Sequence, residues 1–344
     1  MSELRVVASL TVSRAPEAAA LRPRSQEIFV TGAGGIDRIH IPDLKVRLSA
    51  RSDEHPRNLV FSPDGRFAYY LWESEPPPAG PAEATAEPPH AGFSNIGILD
   101  CESGVEVGQI SVRAHLSHLG ITPDGKTLLA SDPAASVVHL FDVKARKPLG
   151  ALAAGKGAGP LAIQMSGSKA FVSDTEEDKI TLLDATTRQV LSHIELGMRP
   201  GLLLLKPDGG ELFVLCPQAS TLAIVDAFHD NISQTLPTGR NPQAGVFRRD
   251  SSLLYIANSG DGSVMILDVQ NRVVLASTPI GRAPTALALT PDERFLAVAD
   301  EGTATLAVLI ADPARLARVR SALVTTIPVG ADPADVVIPD WLGQ

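Results

Sequence analysis

The chain has 344 residues, 44% of them hydrophobic and 20% charged, a balance typical of globular proteins. Its formal net charge of −9 disfavours a general nucleic-acid binder, whose footprint would be basic. No apolar run approaches the roughly 18 residues of a membrane-spanning helix. The two cysteines, Cys101 and Cys216, form neither a CxxC nor a haem-attachment motif.

The first residues, MSELRVVASLTV, lack the long apolar core of a secretory signal. The chain as written is expected in the cytoplasm, or in the periplasm or outside the cell if a leader has been trimmed. Within this stretch Arg5–Val12 reads as an outer strand, since it echoes Arg272–Thr278. Seven units follow, opening at Pro16, Pro56, near Leu116, and at Pro160, Pro200, Pro242 and Pro284. Through the middle, an aspartate ends a short apolar run every 42 residues, at Asp100, Asp142, Asp184, Asp226 and Asp268. Such a period marks a repeat array. Each of these aspartates is expected to accept the N–H groups of its own turn.

The sixth unit shows the pattern most plainly. Four apolar stretches, Ala244–Phe247, Leu253–Ala257, Val264–Leu267 and Val273–Thr278, are separated by polar turns. Short β-rich runs at about ten-residue spacing make antiparallel hairpins, and four per radial repeat make a propeller blade. The first turn of the unit recurs as Ser62–Gly65, Thr122–Gly125, Lys206–Gly209 and Thr290–Glu293, each with Pro-Asp at its centre. Proline presets φ, aspartate bonds the following backbone and glycine supplies positive φ. The predicted fold is therefore all-β: a single domain over 1–344, a seven-bladed β-propeller of four-stranded antiparallel blades closed by terminal strands.

Two segments interrupt the repeat. In the second unit, residues 74–95 form a Pro/Ala/Glu-rich insertion between strands two and three. It is expected to be extended and dispensable for folding, with His90 and Phe93 as contacts if it serves as a lid. In the last unit, residues 312–322 alternate Ala and Arg behind a proline, which predicts a short helix. Thr325–Val329 and Arg5–Val12 then compete to be the outer strand of the last blade, and Ala334–Ile338 echoes a first strand.

The turns, together with Leu254–Asn258 (LYIAN) and Thr326–Gly330 (TIPVG), resemble the bacterial YVTN family of β-propeller repeats across nearly the whole chain. The resemblance implies the seven-bladed fold. It implies little about activity, because the shared signature is turn chemistry. Related propellers include sugar lactonases and a haem d1-binding domain, so a hydrolase using Glu17 or Asp335 and a cofactor binder stand as alternatives. WD40 repeats fit poorly, with only Trp72 and Trp341 as tryptophans.

In a four-stranded meander the 4→1 connections and 2→3 loops share one face. Basic residues gather near these connections: Arg14, His55, Arg57, Arg113, His115, His118, Arg199, Arg240 and Arg282. Of these, His55, Arg57, His115, His118, Arg199, Arg240 and Arg282 are the predicted ligand-binding set. Convergent arginines favour a small anionic ligand, or a protein segment carrying one, at the channel face. Binding would strengthen below about pH 6.5 as histidines gain charge. The competing expectation is that the arginines pair with acids such as Asp53, Glu54 and Asp332.

No catalytic residue, metal site or cofactor is assigned. His115 and His118 lack an evident third ligand, and no GxSxG or Walker motif appears. The acidic run Asp174–Asp178 reads as a solvated hairpin loop. His139 and His193 read as packing or surface residues. The sequence reading is thus a non-catalytic, monomeric binding propeller with a protein or small anion as its partner.

Overall fold

Each apolar run that ends in a repeating aspartate becomes the third strand of a blade. The computed structural model describes residues 14–40, 42–43, 45–51, 55–74, 93–165, 167, 169–312, 322–329, 333 and 335–338. Seven four-stranded antiparallel sheets follow one another, over residues 14–51, 57–113, 118–153, 158–195, 203–237, 242–279 and 284–328. They are blades 1 to 7 of an all-β seven-bladed propeller, the expected fold class. Among the described residues the one helical element is a 3-10 turn at Glu301–Thr303, and no helix is long and apolar enough to cross a membrane.

The outer strand of blade 7 is Leu323–Pro328, so the C-terminal candidate occupies that place, and residues 335–338 form no strand. Arg5–Val12, residues 75–92 of the insertion, and residues 313–321 of the expected helix lie outside the described residues. The chain divides between His193 and Ile194 into two compact units.

Inner strands are covered on both faces by neighbouring blades, which is why they read as continuous apolar runs rather than alternating ones. In blade 6, Leu253–Asn258 is buried throughout, whereas the outer strand Val273–Pro279 is mostly exposed. In the C-terminal unit Leu253, Tyr255 and Ile266 pack with Leu296, Val298 and Leu309 of blade 7. In the N-terminal unit Tyr69, Leu71 and Ile98 pack with Leu128 and Phe141 of blade 3.

The predicted turn chemistry is present. Asp184 Oδ1 accepts the N–H groups of Thr186 and Thr187, both at 2.8 Å, and Asp100 does the same for Glu102 and Ser103 at 3.0 and 2.9 Å. In the first turn of blade 2, Ser62 O accepts Gly65 N–H at 2.8 Å, and Gly65 has φ of +71°.

A second 42-residue series, Asp132, Asp174, Cys216, Asn258 and Asp300, ends the second strands of blades 3 to 7. Asp174 and Asp300 hold the connection entering their own blade. Asp174 Oδ1 accepts Gly155 N–H at 2.9 Å. Asp300 accepts Arg282 N–H at 2.8 Å and Ala283 N–H at 3.2 Å. A Cβ on Gly155 or Gly281 would collide with these carboxylates, so glycine is required opposite each. The expectation of a solvated Asp174–Asp178 loop therefore fails at its first residue. Asp174 is 0% exposed, because its carboxylate has a backbone amide to satisfy.

Burial pushes the Asp174 carboxyl up to about 6, against the opposing pull of hydrogen bonds from Thr181 (2.8 Å) and Gly155. A carboxyl raised in the folded state stabilises the fold below its unfolded pKa, and that contribution is lost as pH rises through about 6. Asp174→Asn removes the titration, and Asn258 shows that a blade accommodates asparagine there. Urea unfolding should show wild type losing on the order of 2–3 kcal/mol relative to Asp174→Asn between pH 4 and pH 7. A pH-independent difference would contradict the assignment.

Candidate functional site

The C-terminal unit carries three of the predicted arginines, on the connections entering blades 5, 6 and 7. Arg199 is exposed and sits between Gly197, at φ of +69°, and the buried Pro200. Arg240 is 75% exposed, and its charge is already engaged. Its backbone N–H donates to Asp261 Oδ2 at 2.6 Å and its Nε to Asp261 Oδ1 at 2.6 Å. The side-chain bond first, and then the backbone bond, hold the Asp261 carboxyl below its ordinary range. Arg282 is exposed, its backbone is fixed by Asp300, and its Cβ rests where a Cβ on Gly302 would fall. Among the described residues the guanidinium groups of Arg199 and Arg282 make no hydrogen bond or ion pair.

In the N-terminal unit the fold brings Arg57 and His115 together around an acid that the sequence did not single out. Arg57 Nη2 donates to Glu73 Oε1 at 2.6 Å and to Leu116 O at 3.0 Å. His115 Nδ1 lies 3.9 Å from the same Glu73 oxygen. His118 bonds Ser117 Oγ through Nδ1 at 3.0 Å. Burial lowers its pKa, and the positive Arg57 nearby lowers it further, so His118 stays neutral to lower pH than an exposed histidine. The expected gain in binding charge below pH 6.5 therefore does not come from His118. His55 is exposed.

The pairing expected as the alternative occurs for Arg57 and Arg240, but with Glu73 and Asp261. Asp53, Glu54 and Asp332 lie outside the described residues. Glu17 is an exposed strand residue, and Asp335 Oδ1 accepts Val336 N–H at 2.7 Å. His139 is a packing residue with a charge partner, its Nε2 being 3.5 Å from Asp132 Oδ2. For Asp132, burial pushes the carboxyl up, yet bonds from His139 and Ala135 N–H prevail and its pKa is lowered. His193 is exposed and shares Thr181 Oγ1 with Asp174, at 3.0 Å from its Nδ1.

Sequence reasoning missed the buried strand-two series, whose acids in blades 4 and 7 hold the connections entering those blades. Its signal was available as a 42-residue period, offset from the turn aspartates.

No family model and no curated protein matches the sequence. Among solved structures the chain is similar to the hydrazine synthase of Kuenenia stuttgartiensis, with a TM-score of 0.61 and 17% identity over 81% of this chain and 88% of that one. At that identity the likeness shows the propeller fold alone.

Gly281→Ala should drive a methyl into Asp300 and lower stability by about 1–3 kcal/mol in denaturant unfolding. Gly210→Ala, whose new Cβ would meet nothing nearer than 3.4 Å, is the control and should change stability by less than about 1 kcal/mol.

Proposed function

We propose that the protein is a YVTN-like binding propeller that recognises a small anion, or an anionic protein segment, through the 4→1 connections of its C-terminal unit. The observation that supports this reading is the placement of Arg199, Arg240 and Arg282 on three successive connections, with two guanidinium groups free among the described residues. The acidic net charge of −9 makes such local cations a distinct feature of this face. One exposed arginine–anion contact contributes only about 0–1 kcal/mol. Measurable affinity therefore calls for bidentate capture or for more than one arginine. Arg57, His115 and His118 form a separate basic group in the N-terminal unit, already neutralised in part by Glu73. The hydrolase and cofactor alternatives rest on the family resemblance, and no arrangement of Glu17 or Asp335 favours them.

The test is a thermal-shift series with phosphate, citrate and sugar phosphates. Wild type should be stabilised, less so at high salt. A triple Arg199→Ala, Arg240→Ala, Arg282→Ala variant should remain folded and lose the stabilisation. Equal shifts in both proteins would overturn the proposal.

A further inference from the structure

Two positions of the 42-residue repeat, one on the 4→1 connection and one in the 2→3 loop, vary together in charge. The first follows Arg113, Gly155, Gly197, Gly239 and Gly281, and reads Ala114, Lys156, Met198, Arg240 and Arg282 in blades 3 to 7. The second lies three residues after the buried strand-two residue, and reads Ala135, Glu177, Ala219, Asp261 and Thr303. Where the first is uncharged, in blades 3 and 5, the second is alanine. Where the first is a cation, in blades 4 and 6, the second is an acid.

Each acid reaches the residue at the first position, through its backbone in blade 4, where the Glu177 charge itself pairs with Lys179 at 2.8 Å, and through both backbone and side chain in blade 6. In blade 4, Glu177 Oε2 accepts Lys156 N–H at 3.3 Å. In blade 6, Asp261 takes both the N–H and the Nε of Arg240, each at 2.6 Å, so one carboxylate fills the cradle. Blade 7 alone breaks the relation: it keeps the cation, Arg282, and has Thr303 in place of the acid.

The loop frame around the cradle is shared by blade 7, although one of its donors is not. The loops Ser259–Gly262 and Glu301–Ala304 have equal length, and both end in a left-handed residue, Gly262 at φ of +61° and Ala304 at +52°. Gly260 and Gly302 leave room for the Cβ atoms of Arg240 and Arg282 in the same way. The Arg282 N–H is taken by Asp300, which leaves the guanidinium and the Thr303 hydroxyl as the open donors. That hydroxyl lies 2.7 Å from Thr305 Oγ1, and either can donate.

We infer that Arg282 and Thr303 form an open carboxylate-binding cradle, which takes from outside the group that Asp261 supplies internally one blade earlier. The inference rests on the anion-binding reading above and narrows its ligand to a carboxylate, from a small organic acid or from a peptide C-terminus. A planar guanidinium matches a carboxylate through two parallel N–H···O bonds, and the internal occupant of the sister cradle in blade 6 is itself a carboxylate.

The experiment is titration calorimetry of the full chain with succinate, a short neutral peptide bearing a free C-terminus, its amide, and inorganic phosphate. Thr303→Asp supplies the missing internal acid and should weaken carboxylate binding at least about tenfold. Asp261→Thr opens the Arg240 cradle and should add one carboxylate site, so the prediction survives if Thr303→Asp fails to fold. Succinate binding without peptide binding identifies a small acid as the source. Free-terminus binding that the amide lacks identifies a chain end. Wild-type carboxylate affinity in Thr303→Asp, or no added site in Asp261→Thr, overturns the inference. Phosphate binding without carboxylate binding overturns it too, while leaving the anion-binding proposal standing. No binding of any anion removes both.

Discussion

The 4→1 connection that carries Arg282, like the one entering blade 4, depends on a buried polar clamp. A 4→1 connection turns the chain from the outer edge of one blade to the inner strand of the next, and its N–H groups leave the sheet ladder in doing so. A buried N–H without a partner costs about 1–3 kcal/mol. In blades 4 and 7 the partner is a fully buried carboxylate at the end of strand two, Asp174 or Asp300. The carboxylate reaches the backbone only because the facing residue is glycine. Glycine and acid are therefore one device, and removing either leaves an amide or a charge buried without compensation. This device makes the Arg282 backbone part of the rigid frame and leaves only its side chain free to respond to a ligand.

In each unit the electrostatics around the connections are settled locally. Where residues at or beside the 4→1 connections are partnered, the acid comes from the blade they enter: Arg57 by Glu73 at the end of strand two, and Arg240 and the Lys156 backbone by Asp261 and Glu177 of the 2→3 loop. Such exposed pairs contribute little to folding. Their consequence is for recognition, because an arginine already holding a carboxylate must release it before it can bind another. A protein of net charge −9 could have neutralised every exposed arginine in this manner. Of the three arginines on the connections of the C-terminal unit, Arg199 and Arg282 are left without such a neighbour among the described residues.

Much of the fold was legible because its determinants are local. A run such as Val264–Leu267 followed by Asp268 specifies a strand and the turn that stops it, and seven repetitions specify the number of blades. The Pro-Asp turns carry their own hydrogen-bond partners within five residues. The site was less legible. Arg57 and Glu73 were both visible, yet their meeting required the register of the first two strands of blade 2, where Arg57 lies opposite Leu71. Asp174 looked like the start of an acidic surface loop, since sequence alone does not show that the Gly155 amide lies against it.

By itself the sequence determined the period, the turns, the strand order and the all-β propeller class, because each rests on residues that interact with near neighbours in the chain. Tertiary structure decided which acids are buried and which cations are occupied. Those outcomes depend on pairs about 16 to 21 residues apart, such as Arg57 with Glu73 and Arg240 with Asp261, brought into contact only when a blade closes. Side-chain charge is written in the sequence, but whether that charge is spent on an internal partner or left for a ligand is fixed by the three-dimensional register of two loops.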